Sequence, residues 1–214
     1  MKKITKYIPT IILTLLCSCS DYLDIVPDNV TTLDIVFNNR NTAERYLANC
    51  YHFVPDHGSV KRIPGMGAGH ECWFYTTNDS HFDNEVSFYI ARGLQNIDAP
   101  YANYWDGEGG SNLPMFRAIR ECNIFLDYVI DQHKVNDLTD SERKRWIAEV
   151  NVLKAYYHFF LFEHYGPIPI VDKALPVSTD PEGVKVTRMP VDQIVDYMVK
   201  LIDDSYKDLS LIHI

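Results

Sequence analysis

Two groups of residues have the types and spacing to do chemistry. The first is Cys19, in Leu16-Cys17-Ser18-Cys19. A branched apolar residue at −3, a small one at −1 and a cysteine at +1 form the processing pattern of a bacterial lipoprotein. The cysteine thiol would take diacylglycerol, and the amine freed by cleavage would take a third chain. Two or more acyl chains hold a protein stably at a membrane, whereas one does so only marginally. Cys17 fits less well, because Leu16 would occupy its −1 position. Upstream, MKKITK carries three lysines and no acid, and Ile8 to Ser18 is an apolar run of about eleven residues broken by Pro9. A spanning helix needs about twenty apolar residues, so residues 1–18 read as a lipoprotein signal peptide. A plain signal with a coincidental cysteine is the alternative.

The second group is Trp73 and Tyr75, set beside Asn78, Asp79, His81 and Asp83. Aromatic rings stack on the apolar C–H faces of sugars without needing charge, and the neighbouring polar side chains can hydrogen-bond hydroxyls. Between His70 and Trp105 there are nine aromatics in 36 residues, about twice the 13% of the whole chain. Anchoring of a long loop is the competing role for these rings.

Other chemistries fail on spacing. GMGAG (65–69) has alternate glycines, but no strand precedes it and no helix follows, so it does not read as a nucleotide loop. His70-Glu71 opens like a zinc-protease motif, but Phe74 stands where its second histidine belongs. His158 and His164 lie six apart, on different faces of one helix, and read as packing or capping residues. Cys50, Cys72 and Cys122 show no CxxC spacing, which excludes the usual zinc and thioredoxin signatures. Cys50 and Cys122 read as small buried apolar residues. No metal or cofactor is expected. A glycosidase would need two carboxylates about 5–9.5 Å apart across a cleft, and nothing singles out Asp79, Asp83 or Glu85 for that.

Charge narrows the partners. Removing residues 1–18 removes three lysines and no acid, so 196 residues remain with 17 basic and 29 acidic side chains, a formal charge of −12. Nucleic acid needs a basic surface, so it is excluded. A polyanionic ligand is disfavoured and a neutral one permitted.

The elements that must position these residues are helices. Residues 19–40 read as an extended leader. Asn41-Thr42-Ala43-Glu44 resembles a capping box, followed by Ala43, Leu47, Cys50 and Val54 at helical spacing up to Pro55. Residues 55–112 look irregular. Pro114 opens a helix with the stripe Met115, Ile119, Cys122, Leu126 and Val129. Thr139-Asp140-Ser141-Glu142 is a second capping box, opening a helix that runs to His164 before Gly166-Pro167. That helix carries two apolar stripes, Trp146/Val150/Leu153/Tyr157/Phe160 and Ala148/Val152/Ala155/Phe159, so its second half is expected to be buried on more than one side. After a proline-rich loop, Val191, Ile194, Met198 and Leu201 mark a fourth helix.

The segment RWIAEVNVLKAYYHFFLFEHYGPIPIV, Arg145 to Val171, resembles the hallmark of the SusD/RagB family: an Ala-Glu, then Leu-Arg-Ala-Tyr-Tyr-His-Phe, then a Tyr-Gly-x-Ile-Pro turn. Lys154 replaces the usual arginine. CSDYLDIVPDN is similar to the family's start, and RAIRECNIFLDYV (117–129) to its Ile-x-x-x-Asn-x-x-Leu segment. The resemblance runs over nearly all of residues 19–209. It implies an all-α fold, a TPR-like helical repeat scaffold with long loop excursions. It also implies an outer-membrane lipoprotein, anchored at Cys19 and facing the exterior, that is not an enzyme. Such a protein binds an oligosaccharide or other nutrient and delivers it to a SusC-like TonB-dependent transporter. Family ligand residues often fall in the early loop region, where Trp73, Tyr75, Asn78, Asp79 and His81 lie. Tyr104 and Trp105 precede a helix where the family has a packing tryptophan. A helical scaffold that binds only protein is the alternative, and a surface glycoside hydrolase a third. Family members are much longer than this chain, so residues 41–209 read as an incomplete N-terminal helical domain, C-terminally truncated, with SLIHI (210–214) a non-native tail. A repeat stack cut short exposes apolar helix faces, because each repeat needs its neighbour.

Overall fold

The computed structural model describes residues 32–58, 65, 67–69, 86–108, 113–175, 182 and 185–209. Residues up to Val36 and residues from Phe37 onward form separate units. The first contributes one helical turn, α1 (Leu33–Val36), inside the stretch expected to be extended. Its Val36 N–H bonds the Thr32 carbonyl at 3.1 Å.

The second unit is built of helices α2 (Arg40–Tyr51), α3 (Val86–Ala91), α4 (Met115–Val129), α5 (Asp140–Tyr165) and α6 (Val191–Ser205), followed by a 3₁₀ turn, Tyr206–Asp208. No strand occurs among the described residues. Helix α5 packs on both α4 and α6, and α2 packs on α4 and α5. The architecture is the expected all-α, TPR-like stack. No described helix is long and apolar enough to cross a membrane.

Three expectations need correction. Helix α2 starts two residues early. Asn39, not Asn41, is its cap, accepting from the Thr42 N–H at 3.1 Å. The reason is tertiary: the Arg40 N–H donates to Asp137 Oδ1 at 2.7 Å, and its guanidinium bridges Glu44 and Glu142. The same helix ends at Tyr51, leaving Val54 exposed. Within the region expected to be irregular, Val86–Ala91 forms a short helix that buries Val86 and Phe88.

The capping box of α5 forms as its sequence requires. Thr139 Oγ1 accepts from the Glu142 N–H, and the Glu142 carboxylate takes the Thr139 N–H, each at 3.3 Å. The Thr139 hydroxyl and N–H, together with Arg40, hold the Glu142 carboxyl below its ordinary range. Thr139→Ala is expected to lower stability by about 1 kcal/mol, read as a shift of the urea midpoint at unchanged slope. At its other end α5 stops at Gly166, whose φ of 69° suits a residue without Cβ.

Every residue of the α4 stripe is buried, as is the stripe from Trp146 to Phe160 on α5. The core between them is aromatic. Phe37 stacks on Tyr128 with centroids 4.6 Å apart and meets Phe125 edge-on at 5.9 Å. Polar ends find partners: the Tyr157 hydroxyl donates to the Cys50 carbonyl at 2.5 Å, and the Tyr46 hydroxyl to Glu121 at 2.5 Å. Cys50 and Cys122 are buried free thiols. The Cys122 thiol, then burial, pushes Cys50 ionisation above its ordinary range, and both side chains pack as small buried residues.

The second stripe of α5 behaves differently from expectation. Ala148 and Ala155 are buried, but Phe159 is 48% exposed. With Val152 it lines an open apolar groove completed by Val195, Val199 and Ile202 of α6. Helix α6 buries only Ile194, Met198 and Ser205 and turns this second face outward. Among the described residues the stack thus ends on apolar side chains, where a terminal repeat is ordinarily capped by polar ones.

Candidate functional site

The residues singled out for ligand contact, Trp73, Tyr75, Asn78, Asp79 and His81, lie outside the described residues, and so does the lipidation candidate Cys19. Among the described residues, one concave surface that joins rings to cations surrounds Trp105. Three segments build it.

The first is the turn before α4. The Trp105 N–H bonds Asn103 Oδ1 at 3.1 Å, and its indole packs against Phe116 (centroids 4.6 Å) and edge-on against Tyr165 (5.5 Å). Tyr104 beside it is fully buried, its N–H donating to the Tyr165 hydroxyl at 2.8 Å. The second segment is the first half of α4, which presents Phe116 and Arg120. The third is the chain leaving α5 at Gly166-Pro167. Ile168 and Pro169 are buried, and the Met189 N–H returns to the Ile168 carbonyl at 2.9 Å.

That third segment is tied down by polar side chains from three helices. Asn123 Nδ2 donates to the Val171 carbonyl at 3.0 Å, and Lys154 Nζ to the Asp172 carbonyl at 3.0 Å and its carboxylate at 2.8 Å. The Tyr197 hydroxyl reaches the same carboxylate at 2.9 Å. Burial would raise the Asp172 pKa, but Lys154 and the Tyr197 hydroxyl outweigh it and hold the carboxyl below its ordinary range. Lys154 is itself buried. It therefore serves as the positive partner of this loop. Arg120 donates to the Leu175 carbonyl.

The result is a groove of about 300 Å³ with Trp105, Phe116, Pro169, Val171 and Leu175 as its apolar surface and Arg120 and Lys173 at its edge. This volume is at the small end for a ligand site. Arg188 lies over the indole at 5.3 Å from its centroid and donates to the Pro167 carbonyl at 3.0 Å. Trp105 thus has the packing role expected of it and in addition lines a groove. The cations escaped notice in the sequence, where each reads as an ordinary solvated residue. Their convergence joins positions as far apart as Arg120 and Arg188.

His158 and His164 do pack, as expected. His158 is buried, and both its ring nitrogens face backbone groups; His164 Nδ1 lies 2.7 Å from the Phe160 carbonyl. Among the described residues no three of His, Cys, Asp and Glu converge to hold a metal.

A family model described as starch-binding and associating with the outer membrane matches residues 21–213. The chain belongs to this SusD-like family. Solved structures agree on the fold. A laminarin binding SusD-like protein superposes with a TM-score of 0.61 at 17% identity, covering 81% of this chain and 35% of its own. A SusD-like protein from Bacteroides fragilis NCTC 9343 gives 0.59 at 16% identity, covering 86% and 32%. A SusD-like carbohydrate binding protein from the same organism gives 0.51 at 20% identity, covering 81% and 32%. This SusD-like chain spans about a third of the length of those structures. No curated protein sequence matches it.

Proposed function

We propose that this SusD-like chain binds a glycan at the cell surface and delivers it to a SusC-like TonB-dependent transporter of the outer membrane. The observation that carries the reading is the match of residues 21–213 to a starch-binding, outer-membrane-associated family. Cys19 is the lipid attachment point that holds it to the membrane, facing the exterior. The helix stack is the rigid base, and loops on it carry the ligand face. Trp73 and Tyr75 stack on sugar rings, with Asn78, Asp79 and His81 bonding hydroxyls.

Isothermal titration calorimetry against a panel of glucan oligosaccharides tests this. Binding is expected, and Trp73→Ala with Tyr75→Ala is expected to weaken it at least tenfold, the scale of lost aromatic stacking. No heat with any oligosaccharide sinks the reading.

One observation favours a second reading, a helical scaffold that binds only protein: the open apolar groove between α5 and α6. Under that reading the two substitutions leave partner binding unchanged, while Val199→Asp abolishes it.

A further inference from the structure

We infer that the Trp105 groove selects a glycan bearing carboxylates, an oligouronate in preference to a neutral sugar chain; this rests on the glycan-binding reading above. Six cations elsewhere in the described structure are paired with carboxylates. Arg40, Arg117, Arg145, Lys154, Lys185 and Lys200 each sit in an ion pair. Arg120, Lys173 and Arg188 do not. Arg120 comes from α4, Lys173 from the segment after α5 and Arg188 from the segment before α6, and they converge on one apolar, ring-lined groove. Other described cations also lack a carboxylate, Arg143 among them, so what points to an anionic ligand is the gathering of three such cations around one ring-lined concavity in a chain with 29 acidic and 20 basic side chains.

The chemistry of the missing partner follows from the donors. Arg120 and Arg188 each give an N–H to a backbone carbonyl, of Leu175 and Pro167. A guanidinium carries five N–H donors, so both keep donors for a ligand. Guanidinium forks match a planar carboxylate by paired hydrogen bonds, which a neutral hydroxyl cannot reproduce. The surface of Trp105, Phe116 and Val171 suits the C–H face of a pyranose ring. A neutral sugar offers these cations no charge to pair with.

The negative net charge opposes a polyanion at long range. That field is screened beyond about 8 Å at physiological ionic strength, while the three cations act at contact. A short uronate segment with few charges therefore fits the groove despite the charge of the whole chain.

The test is calorimetry of the full chain with trigalacturonate, with its methyl ester, and with maltotriose. The ester keeps the sugar and removes the charge. Trigalacturonate is expected to bind at least tenfold more tightly than the ester. Lys173→Gln combined with Arg188→Gln should remove most of that advantage, and Lys173→Gln alone, at an exposed side chain, part of it. Equal affinity for acid and ester overturns the inference, and so does an advantage that survives the double substitution. Equal binding of all three sugars leaves the glycan-binding reading standing. No binding of any sugar takes both down.

Discussion

Arg143→Ala is expected to cost about 3–5 kcal/mol of stability, enough to unfold a marginal domain at ordinary temperature. The side chain is buried, and its guanidinium ties the connection between α4 and α5 together. Nη1 donates to the Val129 carbonyl at 2.6 Å and the Asp131 carbonyl at 3.4 Å. Nη2 donates to the Lys134 carbonyl at 3.1 Å and the Val135 carbonyl at 3.0 Å. These are the last carbonyl of a helix and those of a tight turn, which lack helical partners. Val135 also holds a φ of 50°, a strained conformation for a β-branched residue. Its N–H in turn fixes the Phe37 carbonyl at 3.1 Å. Alanine would leave buried carbonyls unsatisfied and release the strained turn at once. Arg143→Lys keeps a charge but not the fork, so about half the loss should remain. Urea unfolding followed by circular dichroism reads both variants. A loss under 1 kcal/mol for alanine would mean that water replaces the guanidinium without penalty.

A second large effect is expected from pH. His158 Nδ1 lies 2.7 Å from the Lys154 carbonyl, and Nε2 lies 3.5 Å from the Val171 nitrogen. A carbonyl only accepts, so Nδ1 carries the proton; a backbone N–H only donates, so Nε2 must be bare. The neutral ring is satisfied on both sides, and a second proton would point at a donor. Burial, together with the Lys154 ammonium, pushes the pKa down to about 4 from 6.5, against the opposing pull of the Lys154 carbonyl and Asp172. Between those values the unfolded chain takes up a proton that the folded one refuses. Stability from this group is therefore full above pH 6.5 and falls as pH drops towards 4, by about 3 kcal/mol in all. His158→Phe should flatten that part of the profile, even though losing the two bonds lowers its level. Parallel profiles for the two proteins from pH 6.5 to 4 would refute the assignment.

Both predictions concern residues that the sequence alone does not distinguish. Arg143 is one of three basic residues in SERKRW, and nothing local separates it from Lys144 or Arg145. Its importance comes from a turn eight to fourteen positions back that closes on it. His158 reads as a packing residue, correctly, but its tautomer follows only from where Val171 and the Lys154 carbonyl stand. The groove is a sharper case. Trp105, Arg120, Lys173 and Arg188 are scattered over four segments, and no motif links them.

Local features were legible because their physics is local. The capping box at Thr139, the glycine stop at Gly166, the stripe of α4 and the Trp146–Phe160 stripe of α5 depend on neighbours within a turn, so residue type and spacing suffice. The Arg145–Val171 segment is of the same kind, and it carried the family, and with it the all-α stack. Long-range partners settled the rest. Asn39 and Asn41 are equally good caps by type, and Asp137, nearly a hundred residues away, selects the earlier start. Phe159 has the spacing of a core residue, yet burial needs a neighbouring element, and periodicity cannot show whether one is there. Whether a cation meets a carboxylate, a carbonyl or an open groove depends likewise on what the fold brings within a few ångströms, and so it was decided only in three dimensions.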